Sequence, residues 1–480
     1  MASPINVADL VAARAASDPA RPALFHSSAT ETYGELLARA DAIAAWLRPL
    51  LRGPAPRVAL MCPNGPDYVA LALGILRAGA CLVPVAGELA LPERTAQLAL
   101  TAPQMMLAAG PEPWLPGPGA SESIAGIDFA WCALTTMAAF PEDRLAALNP
   151  AFVRFSSGTT GDSKGVVLGH EALLARVRSA NRRLEITPAD RVLWTLPMAH
   201  HFAVSIVLYL IEGAGMVLED SHLAGDLLSA ARAHGATVFY GSPFHLALLA
   251  AEDSGRAWPT LRLAVSTAFA LPEATATAFQ QRYGVWPAQG FGIIEAGLPL
   301  LNTGAAQVKP LSIGRPDDCA LRLRDEGGAE VAPGAIGELW LRGPGMFDAY
   351  LAPWCERAEA TNDGWFATGD LASQDQDGDV FLRGRRKSVI NFGGIKFFPE
   401  EVEAVLDTHP AVRESRVSGE PHERWGAVAV AEIVARDPIE PPPAAALVKY
   451  GRERLAGYKV PVRFRMVAEL PRTASGKLRR

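Results

Sequence analysis

What the chain lacks narrows its class before any motif is read. Its five cysteines (Cys62, Cys81, Cys132, Cys319, Cys355) form no CxxC pair and no zinc-like spacing with histidine. That excludes a disulfide scaffold and a structural zinc site, and fits a reducing cytosol. The opening Met1-Ala2-Ser3-Pro4 has no basic segment followed by an apolar core, so no signal peptide is expected. The longest apolar stretch, residues 202–218, is broken by Ser205, Tyr209, Glu212 and two glycines. It reads as buried core, not as a membrane span. An excess of positive charge is missing too: a formal net charge of −6 offers no basic face for nucleic acid. Together these absences predict a cytoplasmic protein with no nucleic-acid partner and no membrane span.

What is present points to a folded, multidomain α/β chain. At 480 residues it exceeds one ordinary core. Residues 57–62 read as a strand, 67–77 as an Ala/Leu-rich helix and 81–85 as a second strand, a βαβ unit whose strands should be parallel. The alternation recurs: helix 171–184, strand 191–196, helix 223–234, strand 236–240, helix 272–283. Between 314 and 351 the texture changes to short β runs with Gly and Pro turns, a small β subdomain. After Gly384 come further strands, a helix at 399–407 with Pro399 in a favourable first position, and a Pro-rich link at 438–443. The expected division is a large N-terminal domain, 1–384, of βαβ-built sheets plus the β subdomain. A small mobile α+β C-terminal domain, 385–480, follows it.

Five polar motifs stand out from this frame. The first is Phe155-Ser156-Ser157-Gly158-Thr159-Thr160-Gly161-Asp162-Ser163-Lys164-Gly165, flanked by apolar, β-prone runs. Its glycines let backbone N–H groups approach an anion, its hydroxyls add donors, and Lys164 adds a point charge. The neighbours of Lys164 exclude a Walker A loop. The second, Gln289-Gly290-Phe291-Gly292-Ile293-Ile294-Glu295, sets an aromatic beside glycines for a purine face and a carboxylate suited to Mg²⁺. The third, Thr368-Gly369-Asp370, places a carboxylate where both ribose hydroxyls could donate to it. The fourth runs from Gly384-Arg385-Arg386-Lys387 to Gly393-Gly394-Ile395-Lys396, and the fifth is Thr473-Ala474-Ser475-Gly476-Lys477. Each alone is as well explained by a turn or a solvated charge. Their order along the chain is the informative feature.

In that order the motifs resemble the adenylate-forming superfamily of acyl- and aryl-CoA synthetases, peptide-synthetase adenylation domains and luciferases. The likeness extends from Thr32-Tyr33-Gly34-Glu35-Leu36 through Gly79-Ala80-Cys81-Leu82-Val83-Pro84 to Lys477. It implies attack of a carboxylate on the α-phosphorus of ATP, giving acyl-AMP and pyrophosphate, then transfer to a thiol of CoA or of carrier-protein phosphopantetheine. By likeness, Ser156, Ser157, Gly158, Thr159, Thr160, Gly161 and Lys164 hold the β- and γ-phosphates. Phe291 and Gly292 meet adenine, Glu295 binds Mg²⁺, and Asp370 and Arg385 meet the ribose. Lys477 bridges the acid and the α-phosphate, Lys387 is the hinge, and Gly393 and Gly394 line the thiol's approach.

Two departures bear on substrate and rate. Ile294 replaces the threonine usual before the metal carboxylate, removing one donor worth about 1 kcal/mol. That loss supports the alternative of a non-catalytic acyl or nucleotide binder, against which Lys164, Glu295, Asp370 and Lys477 are retained. No acidic residue occurs from 196 to 210, so a buried α-ammonium would stand unpaired and an amino acid substrate is disfavoured. The likeness puts His200 at the acid's carboxylate and His201 at a ring substituent. Tyr240, Gly241, Ser266, Thr267, Ala268, Gly290 and Ile294 are the other expected pocket walls. An aryl or medium-chain acyl acid is favoured.

Overall fold

The computed structural model describes residues 4–27, 29–135, 138–155, 164–221, 223–267, 270–303, 309–392, 395–422, 425–472 and 478. No helix among them is long and apolar enough to cross a membrane. The chain divides into two compact units: residues 1–320 with 342–364, and residues 321–341 with 365–480.

The first unit is built on two nine-stranded sheets among the described residues. One runs Arg315–Pro316, Gly297–Leu301, Ala288–Ile293, Leu263–Ser266, Val238–Gly241, Arg191–Trp194, Gly215–Leu218, Pro22–His26, Ala29–Thr32. Its central strands pair in parallel, as crossover helices require. The other places Val166–Gly169, Pro150–Arg154, Cys81–Pro84, Arg57–Met61 and Met105–Ala109 side by side. Here the expected βαβ unit is found: Arg57–Met61 and Cys81–Pro84 are parallel and joined by helix Pro66–Arg77. Both strands are buried along their whole length, which is why they read as continuous apolar runs without alternation. Helix Tyr33–Leu47 starts on a capping box, with Thr32 and Glu35 satisfying each other's backbone N–H.

The second unit holds a four-stranded sheet, Ala320–Arg324, Gly337–Arg342, Phe366–Gln374, Val380–Arg385, and a five-stranded one around the long hairpin Val412–His422/Gly426–Ala435. Helix Pro399–Leu406 begins with proline at its first turn, as expected, and buries Val402 and Leu406 with Val412, Val417 and Ile433. The β subdomain is not the continuous segment 314–351. Arg315–Pro316 joins one large sheet, Ala349–Tyr350 joins the other, and the small sheet is completed by residues after 365. Pairing partners so distant in sequence leave no local trace. The expected boundary at 384/385 falls inside this second unit, where Phe398 and Glu400 lie against Gly384.

Candidate active site

Strands Pro150–Arg154 and Val166–Gly169 run antiparallel, Arg154 opposite Val166, so the glycine-rich motif joins two strands as its flanks predicted. Ser156, Ser157, Gly158, Thr159, Thr160 and Gly161 lie outside the described residues. Lys164 is described and exposed. Its Nζ stands 5.0 Å from the ring centroid of Tyr350. The hydroxyl of that tyrosine donates to Glu295 Oε1 at 3.2 Å. Glu295 occupies the turn between Ala288–Ile293 and Gly297–Leu301, and its carbonyl accepts from Phe347 N at 2.7 Å. Burial, then the charge of Glu295, pushes the Tyr350 phenol far above its ordinary value, so it remains a donor.

Two arginines add positive potential near this carboxylate. Arg176, on helix His170–Leu184, donates to Gly345 O through Nε (2.9 Å) and Nη2 (2.6 Å), and to Ile294 O through Nη1 (3.2 Å). Gly345 has φ +70°, and a Cβ there would fall 2.4 Å from Arg176 Cβ, so only glycine permits the approach. Burial, reinforced by the like charge of Arg154, lowers Arg176 to about 10. Arg154 is lowered to about 10 as well, by burial, against the opposing pull of Tyr68 and Glu295.

On the same strand as the glycines of the second motif, Phe291 is buried while Gly292 is exposed. A Cβ at Gly290 would meet Leu298 Cδ1 at 3.0 Å and Leu301 Cδ1 at 3.3 Å, so this glycine admits the side chains of the neighbouring strand, while Gly292 leaves exposed backbone beside Phe291.

In the second unit Asp370 and Arg385 are register partners across an antiparallel pair. Arg385 Nε lies 2.9 Å from Asp370 Oδ1. Asp370 is thus a strand residue following Gly369 (φ +74°), not part of an open turn, and its carboxylate is already engaged.

His200 belongs to the short helix Met198–His201, which runs into a π-helical turn, Phe202–Ile206, a conformation frequent at functional sites. Its Nε2 lies 3.0 Å from Glu88 Oε1. Burial would raise the Glu88 carboxyl, but its hydrogen bonds, His200's among them, and the charges of His200 and Arg94 outweigh this and leave it lowered. The His200 carbonyl accepts from Arg154 Nη2. Asn64 clasps the same turn, accepting from Met198 N (2.8 Å) and donating to Leu196 O (3.2 Å). His200 follows a strand of one large sheet, whereas Asn64, Glu88 and Arg154 follow or end strands of the other. Behind it, Trp194 carries His201 edge-on at 5.5 Å and Tyr240 stacked at 5.3 Å. Burial raises the Tyr240 phenol against hydrogen bonds with Thr267 and Ser205. Ser266 is fully buried, and its Oγ has no hydrogen-bond partner among the described residues.

The chain matches the family model for the AMP-binding enzyme over residues 11–351 and that for the AMP-binding enzyme C-terminal domain over residues 401–477. It belongs to the AMP-binding enzyme family. It is 30% identical to sulfoacetate–CoA ligase of Cupriavidus necator, across 99% of this chain and 96% of that one. It is equally 30% identical to a feruloyl-CoA synthase of Amycolatopsis, across 97% and 96%. Among solved structures, o-succinylbenzoate CoA synthetase from Bacillus subtilis, in complex with ATP and magnesium ion, superposes with a TM-score of 0.83. That pair is 26% identical, with 98% of each chain covered.

For a member of this AMP-binding family the donor set at Glu295 fits Mg²⁺. No group of three or more His, Cys, Asp or Glu suited to a metal occurs among the described residues. A single carboxylate completed by nucleotide phosphates and water is the usual Mg²⁺ arrangement. Lys387 sits in the 3₁₀ turn Arg386–Ser388. Ala268, Gly393, Gly394 and Lys477 lie outside the described residues. Sequence reasoning missed Tyr350, Glu88, Arg154 and Asn64. Only Asn64, in an Asn-Gly-Pro turn ahead of a helix, carried any local signal.

Proposed function

We propose that the chain is an AMP-forming acid–CoA ligase. It activates a carboxylic acid with ATP, releases pyrophosphate and passes the acyl group from acyl-AMP to the CoA thiol. The observation that carries this reading is the placement of Lys164 and Glu295 on the ring and hydroxyl of one tyrosine. A phosphate-loop cation and a metal carboxylate held together meet the need to neutralise a triphosphate while a second anion attacks it. Ser156, Ser157, Gly158, Thr159, Thr160 and Gly161 complete the phosphate cradle. Phe291, Gly292, Asp370 and Arg385 take the nucleoside, Glu295 holds Mg²⁺, and Lys477 spans the acid and the α-phosphate.

An aryl or medium-chain acyl acid is the favoured substrate. His200 and His201 stand at its carboxylate and ring, beside Tyr240, Gly241, Ser266, Thr267, Ala268, Gly290 and Ile294. Support comes from the aromatic wall of Trp194 and Tyr240 and from the lack of an acidic residue between 196 and 210. Phosphopantetheine on a separate carrier protein is the alternative acceptor, Lys387 the pivot between the two half-reactions, and Gly393 and Gly394 the thiol's path. The free cysteines suit a cytoplasmic setting.

The test is pyrophosphate exchange into ATP across a panel of acids, followed by thioester assay with CoA and with a holo carrier protein. Lys477→Ala should depress exchange by about 10²–10³ with an unchanged melting temperature. Full exchange by that variant, or none by the parent with any acid, overturns the proposal.

A further inference from the structure

Tyr350 touches both halves of the triphosphate machinery, and its backbone is tied to both as well. Tyr350 pairs with Val166, and Leu351 N donates to Lys164 O (3.2 Å) and Gly165 O (2.8 Å). On the other side Phe347 N holds the Glu295 carbonyl, and the Phe347 ring packs on Tyr350 at 4.7 Å. A few consecutive residues therefore fix the chain at Glu295 and at Lys164 together, before any side chain is considered.

We propose that Tyr350 is a positioning residue that couples metal binding to phosphate binding: its hydroxyl fixes the Glu295 carboxylate for Mg²⁺, and its ring face orients Lys164 toward the nucleotide. This rests on Glu295 being the metal ligand and Lys164 the phosphate cation. A hydrogen bond to an ionised carboxylate is stronger than a neutral one and selects one rotamer of a side chain that has several. The aromatic face attracts an ammonium without neutralising it, so the lysine stays available to an incoming anion. The two tasks are chemically separable. Phenylalanine keeps the ring and discards the hydroxyl, while leucine discards both.

The experiment measures Mn²⁺ affinity by electron paramagnetic resonance, with the full chain and a non-hydrolysable ATP analogue, and analogue affinity without metal by calorimetry. Tyr350→Phe should weaken Mn²⁺ about fivefold to tenfold and leave metal-free nucleotide affinity within about twofold. Tyr350→Leu should add a loss of metal-free affinity of about threefold to fivefold. Glu295→Gln and Lys164→Ala mark the full effect on each side. Tyr350→Phe indistinguishable from the parent, beside an impaired Glu295→Gln, overturns the coupling alone. Unaltered Mn²⁺ affinity in Glu295→Gln removes the metal assignment and the coupling with it. Tyr350→Phe preserves ring volume, so its result stands even if the leucine variant fails to fold.

Discussion

Arg385 grips Asp370 through two nitrogens, Nε on Oδ1 at 2.9 Å and Nη2 on Oδ2 at 3.5 Å, across strands in which the two residues face each other. The acid is buried and the arginine half exposed, so the guanidinium orders the carboxylate from the solvent side. A carboxylate held this way presents its remaining lone pairs in a fixed direction, as recognition of a vicinal diol requires.

Asp370→Asn should therefore raise KM for ATP about tenfold, because an amide is a weaker acceptor for hydroxyls and loses the ion pair. Arg385→Lys should fall between it and the parent, since a point charge cannot replace the two-pronged contact. Steady-state kinetics with ATP varied separates them. A change confined to the acid's KM would place the pair elsewhere.

Ile294 stands where the motif this chain resembles usually has threonine, and its carbonyl is held by Arg176 at 3.2 Å. The backbone is thus already fixed for whatever side chain sits there. Ile294→Thr is expected to accelerate acyl-adenylate formation about fivefold, one added hydrogen bond of about 1 kcal/mol. Single-turnover measurement of pyrophosphate release checks it. An unchanged or slower rate would mean that the apolar side chain serves substrate packing.

Legibility followed sequence distance. The hairpin around the glycine-rich motif was readable because its two flanks are adjacent in the chain, and helix Pro399–Leu406 because proline marks its first turn. Tyr350 was not, since its hydrogen bond to Glu295 spans 55 residues and nothing near either one signals the other. Likewise Glu88 meets His200 across 112 residues and from a different sheet. Motif order points to the groups proposed to do chemistry. The residues that hold them in place are set by pairing between sheets, where any polar side chain at the right strand end would read the same in sequence.

The Glu88–His200 pair yields a kinetic expectation. Both side chains are partly exposed, so the contact adds little to stability, and its value lies in fixing the imidazole. Glu88→Ala should lower kcat/KM for the acid about tenfold, with KM for ATP and melting temperature unchanged. Glu88→Gln, which keeps an acceptor for the imidazole N–H, should lose less. If ATP binding suffered instead, His200 would belong to the nucleotide side.

Asp407 provides a pH test of the second unit that is independent of catalysis. It caps the C-terminus of helix Pro399–Leu406 and accepts from Ser415 Oγ at 2.7 Å. Asp407 is exposed as a residue, but partial burial of its carboxyl pushes it from 3.8 up to about 6, with Ser415 opposing and the charge of Glu414 assisting. A raised carboxyl holds its proton in the folded state after the unfolded chain has released it, so ionisation costs stability. The cost is complete above pH 6, shrinks between 6 and 3.8, and is absent below. Asp407→Asn retains an acceptor for Ser415 and removes the charge. Solvent screening at this exposed residue discounts the effect, so the variant should be more stable than the parent by no more than about 1 kcal/mol near neutral pH and equal to it at about pH 3.5. Calorimetric unfolding of both proteins across that range decides the matter. A destabilised variant at neutral pH would mean that the ionised carboxylate is favoured in the fold and that its neighbours, not burial, control it.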